Sequence, residues 1–141
     1  MKIYLDTNIL VYMLSNTDAD IDRNIYSMLV DCSNVLLTSS VCVAEFIHLR
    51  QIGKIFGNKK GERQLTESVV DSLKSLGITI VSVTEKNMND YEKLPMYEDH
   101  RDPNDRLIIA QAISDRTALI SSDHKFKLYE KYGLEFFFNK R

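Results

Sequence analysis

Acidic residues stand in this chain at places where apolar surroundings should disfavour a charge. Asp6 closes the apolar run of MKIYLDTNIL, and Asp123 follows a second such run in ALISSDHKF. Glu45 lies in SSVCVAEFIHLR, among Val41, Val43, Ala44, Phe46, Ile47 and Leu49. Asp102 and Asp105 fall in HRDPNDRLIIAQAI, with Asp99 just upstream. A charge taken out of water alone is costly or shifts its pKa, so Glu45, in so apolar a segment, needs a cation or a partner. Each acid also has a structural reading. Asp6 suits a helix N-cap, and Glu45 suits a buried salt bridge. Asp102 suits an N-cap with Pro103 as the first helical residue. Asp105, one turn inside that helix, either answers the helix dipole or projects over a sheet edge.

Taken together these acids imply one kind of chemistry. Carboxylates brought close repel one another, and a bound divalent cation relieves the repulsion. Ligands made only of oxygen select hard ions, Mg²⁺ or Mn²⁺. Such ions support in-line phosphoryl displacement, so phosphodiester hydrolysis is the natural reaction. Other sites are not supported. Glu45 and His48 have the E-x-x-H spacing of di-iron bundles, but the second copy and the long helices are missing. His100 and His124 flank acids without an identifiable serine or cysteine nucleophile. None of the five glycines falls in a phosphate-cradling pattern.

The elements that would position these acids are short strands alternating with longer helical segments. KIYL, VLLT (Val35 to Thr38), ITIVSV (Ile78 to Val83), ALIS (Ala118 to Ser121) and LEFFF have the composition of buried strands. Helical spacing covers Asp20 to Asp31, Ser40 to Ile55, Arg63 to Leu76, Thr84 to Leu94 and Asp105 to Arg116. HKFKLYEKYG reads as a last short helix closed by Gly133, and Gly77 is placed to end the helix before it in the Arg63 segment. Phe56 to Glu62 reads as a loop between two helices. This alternation predicts an α/β fold, a small central parallel sheet with helices on both faces. Ligands of open parallel sheets bind beyond the carboxyl ends of the strands, which is where Asp6 and Asp123 fall.

The 141 residues suit one domain spanning residues 1–141, large enough to enclose a core. A net charge of -2 argues against non-specific coating of nucleic acid. Lys54, Lys59, Lys60 and Arg63, and then Lys125, Lys127 and Lys131, read as solvated basic faces. No apolar run nears the roughly 18–20 residues of a membrane span, and the N-terminus does not read as a signal peptide. Cys32 and Cys42 are expected to be buried, reduced thiols of a cytoplasmic protein.

Four stretches in order, YLDTNILVY, SSVCVAEF, HRDPNDRLIIAQAI and LISSDHKF, resemble the motifs of PIN-domain proteins, most of all VapC-type toxin ribonucleases. The resemblance implies a PIN-like fold and a Mg²⁺- or Mn²⁺-dependent endoribonuclease. It assigns Asp6, Glu45, Asp105 and Asp123 as the acidic quartet, catalytic and metal-holding. Thr7, Asn8 and Ser121 would support the site, and Asp102 either caps its helix or joins them. Asn104 departs from the pattern, which commonly has an aromatic residue there. The resemblance also implies an RNA substrate, a homodimer, and an inhibitory antitoxin whose tail lies over the acidic groove.

Two other classes compete. An aspartyl phosphotransferase would use Asp6 as nucleophile, but Asn8 occupies the place of its second acid. A non-catalytic PIN-like scaffold has no need of the full quartet.

Overall fold

The structure, a computed structural model, describes residues 1–15, 20–56 and 65–140. Five parallel strands form one sheet: β1 (Lys2–Leu5), β2 (Val35–Ser39), β3 (Thr79–Val81), β4 (Ala118–Ser121) and β5 (Phe136–Phe138). Their order is β3-β2-β1-β4-β5. The chain therefore builds outward from β1 to β3, then crosses back to lay β4 on the other side of β1. Register is set by Ile3 opposite Leu36 on one side and Ala118 on the other.

The central strands explain why helices must cover both faces. Ile3, Tyr4 and Leu5 are buried in succession, as is every residue of β4. Side chains alternate between faces along a strand, so consecutive burial means two covered faces. The cover comes from α1 (Thr7–Leu14), α2 (Arg23–Val30), α3 (Ser40–Gln51), α4 (Val69–Ser75), α5 (Glu85–Lys93) and α6 (Pro103–Ser114). Ile9, Leu10, Phe46, Leu73, Ile108 and Ile109 carry these helices into one continuous core with the sheet. Burying each such side chain is worth ~1.5–3 kcal/mol.

The expected strands and helices are all present. β1 and β4 keep the expected bounds, β2 runs one residue further to Ser39, α6 is shifted to begin at Pro103, and the others are narrower. α1 is an element that no helical spacing had marked. α4 begins at Val69 rather than Arg63, because Ser68 caps it by accepting from the Asp71 amide at 3.1 Å; Arg63 itself lies outside the described residues. Gly77, at φ 77°, follows that helix as expected. His124–Tyr132 is a 3-10 helix rather than an α-helix, and Gly133 ends it at φ 101°. The expected loop at Phe56 to Glu62 is described only at Phe56, and Lys59 and Lys60 likewise lie outside the described residues. Lys127 and Lys131 are exposed, as solvated bases should be.

One cysteine differs from expectation. Cys42 is buried, but Cys32 is exposed, and both are free thiols. Cys32 sits in the turn after α2, where the Asp31 carboxylate accepts from the Ser33 amide and hydroxyl. That turn is closed again by Asn34 donating to the Met28 carbonyl, which leaves Cys32 outside the packed face. No helix among the described residues is long and apolar enough to cross a membrane.

Candidate functional site

The crossing between the two halves of the sheet opens a crevice where β1 and β4 end side by side. Asp6 follows β1 directly, and its amide donates to the Ile120 carbonyl of β4 at 3.0 Å. Asp123 follows β4 after one intervening residue, Ser122. α3 leaves the end of β2 without a linker and brings Glu45 to the same edge. α6 supplies Asp105 from its first turn. A cleft of about 300 Å³ is lined by Asp6, Glu45, Asp105 and Asp123 together with Thr7 and Asn8, and on its apolar side by Val11, Tyr12, Leu49 and Ile55. All four acids singled out in the sequence thus meet in one place.

Asp6 both caps a helix and lines the cleft. Its Oδ1 accepts from the Thr7 amide at 2.8 Å, capping α1. Its Oδ2 accepts from the Ser121 hydroxyl at 2.6 Å and from Asn8 Nδ2 at 3.2 Å. Asn8 Oδ1 in turn accepts from the Ser122 amide at 3.2 Å, and Ser121 Oγ accepts from the Asp123 amide at 3.0 Å. Thr7, Asn8 and Ser121 therefore tie the end of β1 to the end of β4. Asp123 caps the 3-10 helix through Oδ1, which accepts from the Lys125 amide at 2.9 Å.

The DPND segment divides its two acids between tasks. Asp102 is the N-cap of α6, its Oδ1 accepting from the amides of Asn104 at 2.8 Å and Asp105 at 3.3 Å. It is exposed and does not line the cleft, whereas Asp105 does. Arg106, the next residue, turns into the protein. Its guanidinium donates to the Leu94 carbonyl at 2.8 Å and lies over the Tyr91 ring. Asn104, where an aromatic residue was expected, reaches the Glu45 carboxyl and favours its ionised form.

The charges are poorly matched. Burial first, then the charges of Asp6, Asp102, Glu45 and Asp123, push the Asp105 carboxyl up to about 8. Burial and the Asp6 charge raise Glu45, against the opposing donors Thr7 and Asn104. Burial also raises Asp6, although its hydrogen bonds from Ser121, Thr7 and Asn8 resist. Such a site favours any ligand that brings positive charge.

One residue at the site was passed over in the sequence. His100 is 4% exposed, with its Nε2 lying 3.6 Å from Asp105 Oδ2 and 3.8 Å from Asp123 Oδ2. Burial holds its pKa below the ordinary histidine value, with Asp123 opposing. Its only sequence signal was proximity to DPND. The burial comes from Phe126 and Tyr129, which arrive from a distant helix. Among the described residues His100, Asp105 and Asp123 offer ligand atoms within 4.8 Å of one another. The donor set, carboxylate oxygens with one imidazole nitrogen, fits a divalent cation. His48, by contrast, is exposed on α3 and does not line this cleft.

A parallel sheet with a carboxylate-lined crevice at its topological switch point defines an α/β protein with an acidic candidate centre. The chain belongs to the PIN domain family, whose model matches residues 3–132. No curated protein matches the sequence. Among solved structures the chain is similar to VapBC2 from Rickettsia felis bound to a promoter DNA fragment, at 21% identity and a TM-score of 0.62, covering 99% of this chain and 100% of that one. It is also similar to VapBC-1 from nontypeable Haemophilus influenzae, at 21% identity and a TM-score of 0.63, covering 98% of each chain. A third is Mycobacterium tuberculosis VapC20, a sarcin-ricin loop cleaving toxin, at 15% identity and a TM-score of 0.60, covering 94% of this chain and 97% of that one.

Proposed function

We propose that this chain is a Mg²⁺- or Mn²⁺-dependent endoribonuclease and the toxin of a toxin–antitoxin pair. The observation that carries this reading is the convergence of Asp6, Glu45, Asp105 and Asp123 on one crevice, with Asp105 raised to about 8 in the absence of a countercharge. Membership of the PIN family and the likeness to a ribosomal-loop-cleaving toxin support it.

When bound, the cation would supply Lewis-acid stabilisation of phosphate charge and a water of lowered pKa. The chain's own residues hold the geometry. Asp6 Oδ2 already accepts two hydrogen bonds and Oδ1 one, from the Thr7 amide, so Oδ1 keeps one lone pair for an ion. Ser121 and Asn8 fix that carboxylate from below, and the Thr7 hydroxyl lies beside Glu45. Asp105 and Asp123 would complete the set of residues that hold the cation.

The partner reading follows from the same cleft and from the solved neighbours, which include a toxin–antitoxin complex from Klebsiella pneumoniae. Val11, Tyr12, Leu49 and Ile55 beside the acids suit a peptide tail with apolar anchors and a cationic side chain. Homodimerisation is proposed on the resemblance alone. Incubating the chain with an RNA pool in Mg²⁺, in Mn²⁺ and in chelator tests the activity. Cleavage that persists in chelator, or none in either ion, overturns it. Titrating the product of the adjacent gene tests the partner, and full activity at saturation overturns that reading.

A further inference from the structure

His100 presents a buried nitrogen that no described residue satisfies with a hydrogen bond. Its ring is enclosed edge-to-face by Phe126 and Tyr129, with centroids 5.6 and 5.4 Å away. Nδ1 meets the Tyr129 hydroxyl at 2.9 Å. Nε2 has no hydrogen-bond partner, an arrangement that folded proteins rarely leave without a reason. The two nearest acceptors, Asp105 Oδ2 and Asp123 Oδ2, stand at 3.6 and 3.8 Å, beyond hydrogen-bond range.

Those distances suit a shared ion better. With metal–ligand bonds of about 2.1 Å, two ligand atoms stand roughly 3.0 Å apart at a right angle and roughly 3.4 Å apart at a tetrahedral one. The two nitrogen–oxygen separations are slightly wider than such a polyhedron, and all three ligand atoms lie within 4.8 Å of one another, so side-chain adjustment is needed to close it. The second nitrogen is also placed as a ligand histidine requires. Nδ1–H donating to Tyr129 Oη leaves the lone pair on Nε2 and fixes the ring's orientation. Asp105 has no hydrogen-bonded group competing for its Oδ2 among the described contacts, and Asp123 uses its other oxygen for capping.

We propose that His100 Nε2 is a nitrogen ligand of a cation site completed by Asp105 and Asp123, and that it tunes this site towards first-row transition ions such as Mn²⁺ over Mg²⁺. The inference rests on the cation-dependent reading of the acidic cleft and names the ion that cleft selects. A nitrogen ligand disfavours Mg²⁺, which takes oxygen and keeps its waters, and it adds affinity for ions that accept imidazole.

Mn²⁺ bound to the intact chain is directly readable by electron paramagnetic resonance. The wild-type complex should show hyperfine modulation from a directly bound ¹⁴N nucleus. His100→Phe keeps a ring between Phe126 and Tyr129 but offers no ligand atom, and should lose that modulation. Its Mn²⁺ affinity should fall at least tenfold, and Mg²⁺ should displace Mn²⁺ from it at lower excess than from wild type. Tyr129→Phe, which removes the partner of Nδ1, should weaken Mn²⁺ by about tenfold. Mn²⁺ binding without nitrogen modulation overturns the inference and leaves the carboxylate centre standing. Absence of Mn²⁺ binding overturns both. The wild-type spectrum alone decides the point should His100→Phe fail to fold.

Discussion

The two ends of α6 each carry a polar network around an aspartate, and they are built on opposite terms. At the C-terminal end Asp115 receives the Tyr4 hydroxyl on Oδ2 at 2.6 Å and Asn87 Nδ2 on Oδ1 at 3.1 Å. Gln111 donates to Tyr4 Oη and to the Val81 carbonyl, both at 3.3 Å, which joins the helix to the sheet. One carboxylate is met by donors on both oxygens. At the N-terminal end Asp105 meets other carboxylates instead, and the unpartnered His100 Nε2 is out of hydrogen-bonding range. A carboxylate surrounded by donors stabilises the fold; carboxylates surrounding one another stabilise whatever cation comes to them.

The largest expected difference is in activity. Asp6→Asn, Glu45→Gln, Asp105→Asn and Asp123→Asn should each bring RNA cleavage to background with the fold retained by circular dichroism. Tyr4→Phe, at the other end of α6, should cleave at the wild-type rate. Equal loss from both sets would mean that the two networks do not differ in kind.

Cation linkage should separate the ends next. Mn²⁺ at about 100 times its Kd should stabilise the wild type by ~2.7 kcal/mol, because only the folded site binds it. Thermal melts should show the same gain for Tyr4→Phe and a much smaller one for Asp105→Asn.

Without a cation the acidic end should make stability depend on pH. Below about pH 4 Asp105 is protonated in both states, so its penalty is absent. As the pH rises from there the unfolded chain ionises first, while the folded Asp105 keeps its proton until about 8. Metal-free stability therefore falls across that interval, through the term in bound protons. Denaturant melts in chelator should give a more stable protein near pH 5.5 than near pH 8. Asp105→Asn should flatten the trend and melt a few degrees higher than wild type at the upper pH. A flat wild-type profile would refute the charge frustration.

The smallest effects concern hydrogen bonds that serve the fold. Tyr4→Phe should cost ~1 kcal/mol, the net worth of the bond to Asp115, at every pH and in either ion condition. Asp102→Asn should cost only a few tenths of a kcal/mol, since asparagine caps nearly as well. It should leave most of the cleavage intact while lowering the pKa of Asp105. Abolished cleavage in Asp102→Asn alongside an active Asp105→Asn would reverse the division of labour drawn within DPND.

The alternation of short apolar strands with helical periods already determined the parallel sheet and its two covered faces, because burial on one or both sides leaves a period in the residues. The strand ends placed Asp6 and Asp123, and Asp102 followed by Pro103 marked the start of α6, because caps and turn residues act on their immediate neighbours. Tertiary structure alone decided the rest. Whether Asp105 or Asp102 faces the cleft depends on how α6 lies across α3 and the sheet, which no local pattern records. Cys32 turned outward because a side-chain-closed turn outweighed an apolar neighbourhood. His100 became part of the site only when Phe126 and Tyr129, far along the chain, closed over its ring and left Nε2 facing two acids. Burial and electrostatics are summed over neighbours in space, and for these residues the decisive neighbours are remote in sequence.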